Sequence, residues 1–308
     1  MNELVVILGP TASGKTNLAS QLAQIVGGEI ISADSRQIYR KMDIGTGKDL
    51  SEFNINGQQI PYHLIDIREP GYKYNIWEYQ SDFIKAFNNI TDKHRLPILC
   101  GGSGLYIETA LRGNSFTGIE SNTNLRLELN DLPKDVVFEK WETIRDDLKV
   151  KLDRNTLPRA IRAIEIDQFI TDNPNWTEPI YPKINYTIFG IDIERERRRE
   201  KITKRLSERM NSGLIEEVEQ IINDGLPIED LAYYGLEYKW TCDYLQDKIS
   251  KKEMFEGLNT AIHQFSKRQM TWFRRMEKQG YHIVWLNESE STENKLNHIL
   301  TTMAQKSQ

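Results

Sequence analysis

The chain has 308 residues, 28% of them charged, and a formal net charge of -5 at pH 7, with a mean hydropathy of -0.57. That is enough chain for a large core in one or two domains. Its apolar runs are too short to span a bilayer, and the acidic balance argues against indiscriminate nucleic-acid binding. The two cysteines, Cys100 and Cys242, form no C-x-x-C pair. This argues against a disulfide framework or a cysteine zinc site and fits a reducing cytoplasm. With a motif beginning at Gly9, no leader peptide is expected.

The first element is a strand-length apolar run at 4–8, followed by Gly9-Pro10-Thr11-Ala12-Ser13-Gly14-Lys15-Thr16 and an amphipathic pattern at Leu18, Leu22, Ile25 and Val26. Strand, glycine loop and helix start is the context in which G-x-x-x-x-G-K-[ST] reads as a phosphate cradle rather than a turn between core elements. The loop N–H groups and the helix dipole face an anion. Lys15 adds a point charge, and the Thr16 hydroxyl is a Mg²⁺ ligand candidate. Which phosphorylated molecule binds is not specified.

A second strand is predicted at Glu29–Ala33, leading into Asp34-Ser35-Arg36-Gln37. A carboxylate at a strand end beside a phosphate loop is a general-base candidate. Next come a strand at 62–67, a helix near 77–89, a strand at 97–100 entering Gly101-Gly102-Ser103-Gly104, and a helix at 105–111. This alternation predicts an α/β fold, a P-loop NTPase-like parallel sheet flanked by helices, with ligands at the carboxyl ends of its strands. From 114 to 182 the composition shifts to Asn, Asp and helical patterns at 124–132 and 157–169, closed by Pro174, Pro179 and Pro182. That stretch reads as a helical insertion dividing a core of 1–113 and 183–290. A return strand at 186–191 is followed by helices at 194–212, 214–224 and 251–278 and a last strand candidate at 281–286. Residues 291–308 read as a polar tail that frays.

Two basic runs stand out against the acidic total: ERERRREKITKRLSER at 194–209 and SKRQMTWFRRMEK at 266–278. Either is explained by a solvated helix face with i,i+4 ion pairs. The second interleaves Trp272 and Phe273 with cations, as stacking against a folded RNA segment would require.

Taken together, GPTASGKT at 9–16, ISADSRQIYRKMDIGTGK at 31–48, YHLIDI at 62–67, PILCGGSGLYIETALRG at 97–113 and KRQMTWFR at 267–274 resemble, in order and spacing, the tRNA dimethylallyltransferases. The resemblance implies transfer of a prenyl group from dimethylallyl diphosphate to the exocyclic amine of adenosine 37 in the anticodon loop. It assigns the diphosphate to Gly9, Thr11, Ala12, Ser13, Gly14, Lys15 and Thr16, with Mg²⁺ on Thr16 and support from Arg205 and Arg209. Asp34 matches the family's base, and Ser103 a position usually written Thr, whose hydroxyl would orient the amine or the departing oxygen. Asp34, Ser35, Arg36 and Gln37 would surround the flipped base. Within the insertion, DRNTLPRAIRAIE at 153–165 resembles the family's arginine helix, implying tRNA contacts by Arg159 and Arg162, with Arg126 a weaker match. Ion pairs with Glu165 or Asp153 are the alternative for those arginines. Lys267, Arg268 and Gln269 are expected at the same site or on the RNA backbone, while Gln269 and Trp272 fit a packing role equally well. A monomer is expected.

The sequence departs from the family pattern at Tyr234-Gly235-Leu236-Glu237-Tyr238-Lys239, where GY-x-E is usual, and at Ile262-His263 in place of Thr-Arg. Two other activities use the same parts: prenylation of free AMP or ADP, and a small-molecule kinase in which Asp34 activates an alcohol. A regulatory GTPase would need an N-K-x-D motif, and a binding-only module would not need Lys15, Thr16 and Asp34 together.

Overall fold

The computed structural model describes residues 3–116 and 118–306. Residues 1–2 of the expected core, 307–308 of the expected tail and position 117 of the insertion lie outside the described residues. The chain forms two compact units, Met1–Arg112 with Lys183–Gln308, and Gly113–Pro182.

The larger unit contains β1 (Glu3–Leu8), β2 (Glu29–Ala33), a short antiparallel hairpin of β3 (Asn54–Ile55) and β4 (Gln58–Gln59), then β5 (Tyr62–His63), β6 (Pro97–Gly101), β7 (Asn185–Asp192) and β8 (Ile283–Asn287). Apart from the hairpin these form one parallel sheet in the order β5-β2-β6-β1-β7-β8. Leu4 through Leu8 have no solvent exposure, as expected of a strand covered on both faces. Leu8 pairs with Gly101 and Gly101 with Ala33. The residues that follow these three, Gly9, Gly102 and Asp34, therefore leave three adjacent strands at the same level of the carboxyl edge.

Helix α1 (Lys15–Val26) follows the glycine loop and buries Leu18, Ala19, Leu22 and Ala23. Helix α2 (Ile76–Asp92) starts at an Asn75/Glu78 capping box, and α3 (Gly104–Arg112) starts directly after β6. The insertion unit holds α4 (Thr123–Asn130), α5 (Lys134–Glu142), α6 (Asp146–Lys151) and α7 (Leu157–Asp172). Its own apolar clusters include Phe116, Ile144, Leu148 and Ile166 in one and Leu129, Val137 and Ile161 in the other.

Back in the larger unit come α8 (Arg195–Asn211), α9 (Leu214–Asn223), α10 (Ile228–Leu231), α11 (Leu236–Leu245), α12 (Lys251–Lys278) and α13 (Thr292–Lys306). Helix α12 is held at its start by a Ser250/Glu253 capping box and buries a stripe through Met254, Leu258, Ile262, Ser266, Gln269 and Phe273. That spacing turns one continuous face inward. No helix among the described residues is long and apolar enough to cross a membrane.

Two sequence expectations are corrected. The strand predicted at 62–67 ends at His63, because Leu64 and Asp66 take left-handed backbone angles of φ 61° and 55°, incompatible with a ladder. Asp66 instead receives the buried Lys48 ammonium. The polar tail predicted from 291 is a helix to residue 306, with Leu296 and Ile299 buried in the cluster that contains Leu18 and Leu22 of α1. Leu296, Ile299, Leu300 and Met303 lie at helical spacing, so a narrow apolar stripe escapes an average polarity reading.

Candidate active site

Three loops from adjacent strands line a cavity of about 580 Å³: the phosphate loop through Thr11, Lys15 and Thr16, the Asp34–Gln37 turn, and Gly102–Ser103. Gly14 adopts φ 80° at the start of α1, a conformation that costs a side-chain-bearing residue energy. The first turn of α1 carries no acidic side chain, so its free N–H groups and dipole are available to an anion. Burial lowers the Lys15 ammonium below the ordinary lysine value; Cys100 and Asp34 oppose that effect and Arg205 adds to it. A buried cation with no ion-pair partner within salt-bridge distance among the described residues gains from a bound anion.

One expected donor is used elsewhere. The Thr11 N–H donates to Gln269 Oε1 at 2.9 Å, so that amide is committed and is not available to an anion. Ser13 lies in the loop with its Oγ buried and without a hydrogen-bond partner among the described residues.

Across the cavity, Asp34 Oδ1 accepts from the Arg36 N–H at 2.9 Å, which fixes the carboxylate while leaving its other oxygen unassigned. Ser103 Oγ accepts from the Ser35 N–H at 3.3 Å, and the Ser103 N–H donates to Ala33 O at 3.2 Å. Gln37 Nε2 donates to Gly47 O at 3.3 Å. Arg36 donates to Tyr233 O and lies 5.7 Å from the centre of the Tyr233 ring, a cation and an aromatic face side by side.

The remaining wall is cationic. Arg205 and Arg209, one turn apart on α8, line the cavity together with Lys15 and Thr16. Arg205 Nη2 donates to Gly47 O at 3.2 Å and to Asp49 at 2.6 Å. Arg209 pairs with Glu237 at 3.3 Å, and burial pushes the Glu237 carboxyl up. A second cavity of about 500 Å³ opens beside the phosphate loop between Lys15, Thr16, Glu52, Lys204, Arg205 and Arg209. The Glu52 carboxyl is raised by burial and by Asp49, against the pull of Arg205, Lys15 and a hydrogen bond with Thr16.

The loop facing α8 is fixed by Glu217 of α9. Its carboxylate accepts from the N–H groups of Asp43 and Ile44 at 2.7 Å and of Gly45 at 3.0 Å, and from the Tyr238 hydroxyl at 2.8 Å. Lys48, buried in the same loop, donates to Tyr39 O at 2.7 Å and pairs with Asp43 at 2.6 Å. These contacts set where Gly47 O meets Gln37 and Arg205.

Residues 37–276 match the family model described as IPP transferase. The chain is 52% identical over 305 residues to tRNA dimethylallyltransferase 1 of Parabacteroides distasonis, spanning 98% of this chain and 96% of that one. It belongs to the IPP transferase family. It is also 50% identical over 300 residues to tRNA dimethylallyltransferase 2 of Bacteroides fragilis, spanning 96% of each chain. The crystal structure of the tRNA isopentenylpyrophosphate transferase of Bacillus halodurans matches with a TM-score of 0.72 at 29% identity, over 99% of this chain and 97% of that one. Family membership sets aside the kinase, GTPase and binding-only readings.

Of the site residues expected for an IPP transferase, Thr11, Lys15, Thr16, Asp34, Ser35, Arg36, Gln37, Ser103, Arg205 and Arg209 line the 580 Å³ cavity. Ala12, Ser13 and Gly14 line its 500 Å³ neighbour, and Gly9 leaves β1 directly behind them. The insertion arginines are engaged within their own unit. Arg126 forms a two-pronged pair with Glu165 at 2.6 and 2.8 Å, and Arg162 joins the same carboxylate at 2.9 Å. Arg159 pairs with Asp153 at 3.0 Å, with both side chains about half exposed. Glu217, Glu237, Lys48 and Glu52 were not among the expected site residues. Lys48 and Glu237 fall within the motif stretches at 31–48 and 234–239, whereas Glu217 and Glu52 lie outside every such motif and are delivered by tertiary packing.

Proposed function

We propose that this protein transfers the dimethylallyl group of dimethylallyl diphosphate to the exocyclic amine of adenosine 37 in the anticodon loop of tRNA, releasing diphosphate. The observation that carries this reading is the placement of a phosphate loop and a strand-end carboxylate, Lys15 and Asp34, on one cavity with a cationic wall. The loop amides, Lys15, Arg205 and Arg209 would hold the diphosphate and stabilise the charge that grows on it as the allylic carbon–oxygen bond breaks. Asp34 would accept the proton that the weakly nucleophilic aromatic amine must lose, and Ser103 would orient that amine. Ser35, Arg36 and Gln37 flank Asp34 where an extruded base would enter.

A Mg²⁺ ion fits this donor set. Thr16 offers a hydroxyl beside the Glu52 carboxylate, both hard oxygen donors. No group of three His, Cys, Asp or Glu side chains able to hold a metal exists among the described residues. Phosphate oxygens and water would then complete the shell, which is how Mg²⁺ usually sits on substrate phosphates. Bound there, the ion would supply further charge neutralisation for the leaving diphosphate. Arg159 and Arg162 are the insertion's proposed tRNA contacts.

The test is incubation of the purified protein with Mg²⁺, dimethylallyl diphosphate and unmodified tRNA carrying adenosines at positions 36–38, followed by mass spectrometry of the digested nucleosides. Isopentenyladenosine is expected. An unmodified digest with AMP prenylated in parallel would move the acceptor to free nucleotide.

A further inference from the structure

We propose that Gln269 is a positioning residue that fixes the separation between the leaving-group site and the proton-accepting site; this role rests on the prenyl-transfer reading above. The side chain lies on the inward face of α12, 7% exposed, where its amide spans two loops that leave adjacent strands. Oε1 accepts from Thr11 N–H at 2.9 Å, and Nε2 donates to Gly102 O at 2.9 Å. A main-chain N–H can only donate and a carbonyl only accept, so the two partners dictate the orientation of the amide. Thr11 is part of the phosphate loop. Gly102 leads directly into Ser103, whose own hydrogen bonds to Ser35 and Ala33 bracket Asp34. One side chain thus touches the loops carrying both halves of the reaction.

The fit at this point is close. A Cβ on Gly102 would collide with Gln269 Nε2, so the amide rests directly on the turn. The docking of α12 does not depend on it. Phe273 is fully buried, and Trp272 Nε1 donates to Glu108 of α3 at 3.0 Å, with Arg275 on the same carboxylate at 2.7 Å. Loss of the Gln269 amide would therefore free the two loops relative to each other while the helix stays in place. Displacement of a reacting group by 1 Å costs about a hundredfold in rate.

Two variants separate this role from packing. Gln269→Glu keeps the shape and the acceptor for Thr11 but sets a carboxylate against Gly102 O. Gln269→Met keeps the length and loses both bonds. For each, single-turnover transfer to unmodified tRNA, the KM for dimethylallyl diphosphate, the Kd for inorganic pyrophosphate with Mg²⁺ and thermal unfolding would be measured against wild type. The expected result is a single-turnover rate lowered by about ten- to a hundredfold, with KM and Kd within about threefold. The proposal is overturned by rates within about threefold of wild type, by a rate loss matched by an equal loss of pyrophosphate affinity, or by variants whose lost activity equals their unfolded fraction. A wild-type protein that binds pyrophosphate yet leaves tRNA unmodified would overturn the prenyl-transfer reading, and this role with it.

Discussion

Asp34 leaves the carboxyl end of β2 with one carboxylate oxygen held by the Arg36 N–H, on the same cavity as Lys15 of the phosphate loop. Replacing Asp34 by Ala is expected to lower the single-turnover rate by about two to four powers of ten, while equilibrium binding of pyrophosphate and tRNA persists; normal turnover would remove Asp34 from the role of base. The insertion arginines differ in an equally testable way. Glu165 is buried and its charge is balanced by Arg126 and Arg162. The Arg126 side chain is 40% exposed and Glu165 keeps Arg162 and the Asn122 N–H, so Arg126→Ala should cost about 1–3 kcal/mol, the range for losing one partner of a buried hydrogen-bonded group. Arg159 pairs with a half-exposed Asp153, so Arg159→Ala should leave the melting temperature nearly unchanged. If Arg159 grips tRNA, it should nonetheless weaken tRNA binding in a filter or fluorescence assay. Glu217 could not be found by inspection, since a surface-patterned glutamate on a helix looks the same whether it faces water or a loop.

At the level of elements, the chain was most legible where apolar periodicity was strong. The predicted boundaries of β1, β2, α8, α9 and α12 lie within about two residues of the observed ones, the usual uncertainty of a helix or strand end. Legibility failed where local backbone or sparse apolar content decided the outcome. Asp66 interrupts an apolar run by adopting a positive φ beside Lys48, and the short helices α5, α6, α10 and α11 have little periodicity of their own. Helix α13 is the instructive failure: a 15-residue helix anchored by a few apolar residues. Ile299 is fully buried, so Ile299→Ala should cost about 2–5 kcal/mol, read as a lowered denaturation midpoint. A cost below about 0.5 kcal/mol, the level of a surface change, would mean that the helix is not docked.

On the scale of the whole molecule, charge is distributed rather than merely summed. The net charge is -5, yet Lys267, Arg268 and Arg274 have no acidic partner within salt-bridge distance among the described residues, and Arg198 is pushed down by burial and by Arg274 and Arg195 nearby. If these cations meet phosphates, tRNA affinity should fall steeply with salt, and Arg274→Ala should reduce the log–log slope by about one. An unchanged slope would assign Arg274 to solvent. Both units contain buried carboxylates clamped by cations: Glu165 in the insertion, Glu29 and Glu288 in the larger unit, the last held by Arg197 and Lys201. Burial alone would raise Glu29, but hydrogen bonds from His63 and Arg95 outweigh it and hold the carboxyl below the usual range. Burial would likewise raise Glu165, and Arg126 and Arg162 reverse it. Folded values below unfolded ones mean that this stability is fully present above the unfolded glutamate value of about 4.3 and is lost as pH falls through the folded values. Thermal melts should therefore be insensitive to these groups at neutral pH and drop on acidification. Arg95→Leu should shift the acid limb attributed to Glu29 toward neutral pH.

Glu217 has a consequence of another kind. The Asp43–Gly45 segment gathers backbone donors around one point at the rim of the cationic pocket, and the protein fills that point with its own carboxylate. That anion-shaped berth is therefore occupied from within the chain, whereas the glycine loop after β1 keeps backbone donors for an anion from outside, so two neighbouring donor clusters differ in which of them is open.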